Sequence, residues 1–301
     1  MTPAEQEQLF DAGFNSYVNV ISVAVFAVAG GIATLGILIA TWLLQAKTWG
    51  EPKAMQLLCC TAIWLCLIGQ SFLIYIAVLD GIRFSFVEEI SILPLSLVNM
   101  DKIEIILGAI MILGGDLVIC WRAWVLFPHD KIWRFVLAII MICNIGLNIA
   151  DSTFDIKMLN ESPPALDTVT LSISVATNMT ATSLISWKAW AHYRTAREVS
   201  VWRKSHAQKV LFFLMESGAV FLVIQLFSLI GMSLSLSPPL AGKKLTTIFL
   251  FADAGQDVWE ASAALYPIVI MILIHSDHLP IVETLHLTAQ SSTLSVPLSV
   301  L

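Results

Sequence analysis

The sequence predicts an all-α protein, a seven-transmembrane helix bundle with its N-terminus outside and its C-terminus cytoplasmic. Three observations predict it. The chain of 301 residues is 57% hydrophobic and only 13% charged, with a mean hydropathy of +0.83. That leaves too little polar surface for a soluble domain of this length. Seven apolar runs reach the roughly 20 residues that cross hydrocarbon at a rise of about 1.5 Å each. The basic residues are also unequally shared between the two sets of loops those runs define.

Span 1 is predicted at 18–44. The tail before it holds Glu5, Glu7 and Asp11 but no Lys or Arg, so it lacks the basic start of a cleavable signal peptide and is expected to be translocated. Span 2, at 54–79, holds Cys59, Cys60 and Cys66 as small apolar packing residues. Span 3, at 103–124, carries Gly114-Gly115-Asp116 and ends on Trp121-Arg122-Ala123-Trp124. Span 4 covers 132–150, and span 5, at 169–190, has a polar stretch (Thr177, Asn178, Thr180, Thr182) and ends on Trp187-Lys188-Ala189-Trp190. Span 6, at 210–234, carries Glu216, and span 7, at 245–274, carries three acids and a Tyr266-Pro267 kink. The domains that follow are an N-tail of 1–17, a membrane domain of 18–274 and a short tail of 275–301.

Orientation follows from the short loops and helix ends. Lys47, Lys53, Arg122, Lys131, Arg134, Lys188, Arg194, Arg197, Arg203, Lys204 and Lys209 fall on one side, against Arg83, Lys102, Lys157, Lys243 and Lys244 on the other. The first side is predicted to be cytoplasmic. Most tryptophans lie near that interface, leaving Trp64 and Trp259 at depth. Asn160-Glu161-Ser162, on the opposite side, is a glycosylation acceptor triplet. No outer loop has a cysteine, so no extracellular disulfide is expected. The localisation implied is an integral multi-pass protein of the plasma membrane.

Ionisable residues within spans cost at least about 2.5–3.5 kcal/mol each, so they call for partners or a wet cavity. Asp253, Asp257 and Glu260 of span 7 are spaced by 4 and 3 and share one helical stripe, with Gln256 and Trp259 beside it. This stripe suits a cationic or hydroxylated ligand, or a cation or proton path. A second set, Asp116, Arg122, Lys188 and Glu216, is expected toward the cytoplasmic side. Asp116 and Glu216 are both expected to point into the bundle, at least one of them within reach of Lys188, Arg122 or a polar side chain of a neighbouring span. One arrangement that meets this is a Glu216 latch from span 6 to span 3 or 5.

Catalytic readings find little support. The six histidines all fall in loops or the tail, so no facing metal set is expected. No Gly-rich phosphate loop and no mid-span-7 lysine for a retinal Schiff base occur. The expectation is therefore no catalytic residues, no metal, no cofactor and no nucleic acid. The basic stretch 191–209 between spans 5 and 6 suits anionic lipid or a cytoplasmic signalling protein.

Several segments together carry a resemblance. These are Gly115-Asp116 leading to Trp121-Arg122-Ala123-Trp124, Thr177-Asn178 leading to Trp187-Lys188-Ala189-Trp190, Glu216-Ser217-Gly218, and Tyr266-Pro267. In these the chain resembles a seven-transmembrane family of mushroom-forming basidiomycete fungi. The resemblance implies lineage and topology, and carries no activity. The chain is similar to G-protein-coupled receptors in topology only. It lacks an outer disulfide pair, an Asp-Arg-Tyr motif after span 3 and an Asn-Pro-x-x-Tyr motif in span 7. The function expected is a receptor-like sensor of an unknown ligand. The alternative is a transporter or channel for a cation or small solute.

Overall fold

The computed structural model describes residues 2–45, 51–86, 95–128, 130–157, 164–198, 206–235 and 243–276. These form seven helices: α1 (Pro3–Gln45), α2 (Glu51–Phe86), α3 (Leu95–Leu126), α4 (Lys131–Lys157), α5 (Pro164–Glu198), α6 (His206–Ser235) and α7 (Lys243–Ser276). Among the described residues there is no strand. Six of the helices, all but α5, are long and apolar enough to cross a membrane. The chain is therefore an integral membrane protein. α5 has the length, at 35 residues, but its many Ser, Thr and Asn side chains lower its hydropathy below that of the others.

α1 starts at Pro3, so the described part of the N-tail is helical and runs on into the apolar stretch Ser16–Gln45. Pro3 occupies the first helical position, where its missing N–H costs nothing, and Gln6 N–H donates to the Thr2 carbonyl at 3.1 Å. The stretch 191–209 is mostly helix rather than loop: α5 continues to Glu198 and α6 begins at His206. Ala191, Arg194, Ala196 and Arg197 favour helix, and no Gly or Pro interrupts them. Asn160 and the tail from 277 onward lie outside the described residues.

Helices adjacent in sequence pack against each other, and α7 closes the ring by packing on α1. α3 runs through the middle, touching α2, α4, α5 and α7. Large apolar side chains such as Val28, Leu35, Phe72, Ile142 and Val223 point outward, as lipid-facing positions should. Two apolar clusters fill the interior. One joins α3–α7 around Ile119, Ile185, Phe221 and Tyr266. The other joins α1, α2, α3 and α7 around Phe26, Leu67, Met111 and Ile268.

Glycine sets the closest approach. A Cβ on Gly115 of α3 would stand 3.0 Å from the Ala263 carbonyl oxygen of α7, so only glycine lets the two backbones meet there. That contact brings Asp116 into the centre, where it is 1% exposed.

Candidate functional site

A cavity of about 530 Å³ occupies the half of the bundle nearest the α7 N-terminus. Along α3 its lining runs from Asp101 to Ile112, a depth of about 16 Å at 1.5 Å per residue. Its walls carry eight carboxyl side chains: Asp101 and Glu104 of α3, Asp151 and Asp155 of α4, Asp167 of α5, and Asp253, Asp257 and Glu260 of α7. No Lys, Arg or His is among the described residues that line it. The opposite end of the bundle holds Trp121, Arg122 and Trp124 of α3 and Trp187, Lys188 and Trp190 of α5.

All five span 7 residues singled out in the sequence line this cavity. Ser22 Oγ of α1 donates to Asp257 Oδ2 at 2.6 Å. Gln70 Nε2 of α2 donates to Glu260 Oε2 at 2.8 Å, and Gln256 Nε2 donates to Glu260 Oε1 at 3.3 Å. Gly108 leaves room for this group, since a Cβ there would stand 3.4 Å from Glu260 Oε2. Asp253 is exposed to the cavity mouth, while Trp259, 5% exposed, lies at the floor. Four buried polar atoms on the lining lack a hydrogen-bond partner: Gln70 Oε1, Asp151 Oδ1, Thr170 Oγ1 and Trp259 Nε1. Orphaned groups of this kind are expensive unless a ligand or water meets them. Burial pushes the Asp167 carboxyl, at the head of α5, above its usual range, against hydrogen bonds from Asp151 and its own backbone.

A buried polar chain leads from the cavity into the bundle. Asn148, on the wall, donates through Nδ2 to Asn144 Oδ1 at 3.1 Å and to the Asn144 carbonyl at 3.0 Å. Asn144 Nδ2 donates to Asp116 Oδ2 at 2.7 Å, and Ser174 Oγ donates to the same oxygen at 2.6 Å. Gln225 Nε2 donates to Ser174 Oγ at 3.0 Å, and Asn178 Nδ2 donates to Gln225 Oε1 at 2.9 Å. Thr182 Oγ1 completes the chain by donating to Asn178 Oδ1 at 3.0 Å. The Asp116 carboxylate of α3 thus joins α4 and α5 directly and α6 through Ser174. The polar character of span 5 has its explanation here, as does the inward placement of Asp116.

The second predicted set does not form one cluster. Arg122 is 4% exposed and donates through Nη2 to the Leu214 carbonyl of α6 at 2.6 Å. Its guanidinium also lies 5.4 Å from the centre of the Tyr266 ring. Lys188 is half-buried, with its ammonium 5.2 Å from the Phe127 ring. Glu216 is exposed on α6, contrary to expectation, so no carboxylate latch joins α6 to α3 or α5. Leu214 and Gly218, two residues to either side of Glu216, are buried. The inward face of α6 therefore passes through 214 and 218, and residue 216 falls on the opposite side.

Sequence reasoning missed the other wall of the cavity. Asn144, Asn148, Asp151 and Asp155 repeat at 4, 3 and 4 along α4, the same helical spacing that marked α7. Asp167, Thr170, Ser174, Asn178 and Thr182 do so along α5 at 3, 4, 4 and 4. Comparison with known proteins finds no family model, no curated protein and no solved structure that matches this chain. The functional reading therefore rests on the geometry.

Proposed function

We propose that this protein is a seven-span, receptor-like sensor of a small cationic ligand, with its N-terminus and acidic cavity outside. The observation that carries the reading is the cavity wall of eight carboxyl groups without a basic side chain among its described residues. Such a wall attracts amines or metal cations and repels anions. Its volume suits a small organic molecule. The orphaned Gln70 Oε1 favours a ligand that also donates hydrogen bonds.

Sensing, rather than binding alone, is supported by the polar chain from Asn148 to Thr182. A ligand that moves α4 or α5 at the cavity alters hydrogen bonds shared by α3, α5 and α6. At the other end Arg122 ties α3 to α6. The basic residues Arg194 and Arg197 and those of 199–209 fit a cytoplasmic signalling partner or anionic lipid. α5 serves as the seventh span because its polar face is turned to Asp116 and Gln225 rather than to lipid. The basic bias of the short loops supports the N-out orientation, glycan acceptance at Asn160 and residence in the plasma membrane. The likeness to the basidiomycete seven-span family supplies a lineage.

A transporter for the same cation is the second reading. It is favoured by the continuation of polar side chains beyond the cavity floor toward Thr182. One experiment separates the two. The protein is reconstituted in liposomes and titrated with simple mono- and diamines, and both binding and uptake are followed. The sensor reading expects saturable binding, weakened at least about tenfold by Glu260→Gln, without uptake. Sustained uptake would overturn it in favour of transport, and absence of binding would remove both. A protease-accessible tag at Leu301 on intact cells would reverse the orientation.

A further inference from the structure

The cavity has two acidic walls, and the wall formed by α4 and α5 has a composition of its own. Asp151 and Asp155 lie one turn apart on α4, and Asp167 faces them from the first turn of α5. One carboxylate oxygen from each falls within 4.8 Å of the others. Oxygens that share one Ca²⁺ at about 2.3–2.6 Å have separations in this range. Mg²⁺ demands near-ideal octahedral geometry and gives up its water reluctantly, so a cluster of side-chain oxygens favours Ca²⁺.

Proximity of acids alone does not define a site. Thr170 supplies the independent observation. It lies one turn after Asp167 on the same face of α5, lines the cavity and is 4% exposed. Its Oγ1 is buried without a hydrogen-bond partner. Asp151 Oδ1 is likewise buried without one. Thr170 Oγ1 and Asp151 Oδ1 both keep lone pairs free on the cavity wall, and the hydroxyl can present its lone pairs, with the carboxylates, to a cation. All the side chains offered are oxygen ligands, with no His or Cys, and this selects hard cations over zinc or copper.

We propose that Asp151, Asp155 and Asp167, assisted by Thr170, bind one divalent cation of the calcium class. The ion ties the end of α4 to the head of α5 and fixes one wall of the cavity. This site stands whether or not the α3–α7 wall takes an amine, because it uses none of that wall's residues. Bound metal would also hold Asn148, one turn from Asp151, in register with the chain that leads to Asp116.

The test is calcium binding by the full chain in lipid nanodiscs, read by calorimetry and by thermal unfolding. One Ca²⁺ per chain is expected, with Kd of about 10⁻⁴–10⁻³ M, the range of extracellular modules. Ca²⁺ should raise the unfolding temperature, and Mg²⁺ at equal concentration should raise it less. Asp151→Asn and Asp167→Asn should each weaken binding about tenfold or more. Thr170→Val keeps the side-chain shape and covers the case in which the carboxylate variants do not fold; it should weaken binding severalfold. No stoichiometric binding up to millimolar Ca²⁺ would overturn the proposal. Binding that is undiminished in the folded variants would overturn it equally.

Discussion

Arg122 Nη2 of α3 meets the Leu214 carbonyl of α6 at 2.6 Å, deep in the bundle and without a carboxylate. Nε and Nη1 of the same guanidinium have no hydrogen-bond partner. The charge-assisted bond contributes about 1.5–3 kcal/mol, and the Tyr266 ring up to about 2. Burying an incompletely paired cation costs several kcal/mol. That cost offsets the two gains, so this arginine holds α3 to α6 at little net gain in stability.

Arg122→Met is therefore expected to unfold at the same temperature as the native chain or higher. Spin labels on the Trp121–Trp124 end of α3 and on the N-terminal end of α6 should report a wider or broader separation. A drop of more than about 5 °C in unfolding temperature would show that the bond outweighs the burial. Glu216→Gln, on the exposed face of α6, should change neither quantity.

Asp116 Oδ2 accepts from both Asn144 and Ser174. Asp116→Ala strands two buried donors, each at about 1–3 kcal/mol. Asp116→Asn keeps an acceptor oxygen in place. The expected order of stability is native, then Asn, then Ala, measured by denaturant unfolding in mild detergent. Equal stability of the Ala and Asn variants would remove the carboxylate from the centre of the network.

Gly218 of α6 packs against Thr182 of α5, and a Cβ there would stand 2.8 Å from Thr182 Oγ1. Gly218→Ala should push that hydroxyl off Asn178 and destabilise the α5–α6 contact. In a Thr182→Ala background the same change has nothing to strike. A double-mutant cycle should give a coupling on the order of 1 kcal/mol. Strict additivity would mean that the helices separate freely.

The α7 acids repel one another when the cavity holds no cation. Asp257→Asn combined with Glu260→Gln should raise the unfolding temperature of the ligand-free protein by roughly 2–4 °C, about 1 kcal/mol. The same variant should show a smaller response to added salt, because salt acts by screening that repulsion. A lower unfolding temperature would indicate that the carboxylates are paired rather than in conflict.

Much of this architecture is legible in the sequence, because a lipid environment writes helices as long apolar runs. Asp253, Asp257 and Glu260 could be assigned to one site because acids at 4 and 3 in an apolar run admit one inward face. The α4 stripe has the same spacing, but Asn144 and Asn148 carry no charge, and Asp151 and Asp155 lie beyond the apolar run. Helical phase decided Glu216: hydropathy marks a carboxylate at depth but not the side of the helix on which it falls. Arg122 shows the converse. A basic residue near a helix end ordinarily reaches headgroups, yet its guanidinium turns inward onto Tyr266, a contact between residues 144 positions apart in the chain. Nothing local encodes that contact.

The polar face of α5 also bears on how the chain is made. A helix carrying Ser174, Thr177, Asn178 and Thr182 gains little by entering hydrocarbon alone. Its hydrogen-bonding partners are Asp116, synthesised before it, and Gln225, synthesised after it. The hydrogen bonds of this face are therefore complete only once α6 has been made. A chain truncated between the two helices leaves Ser174 and Asn178 without Gln225, and such a truncation is expected to behave as an unfinished bundle.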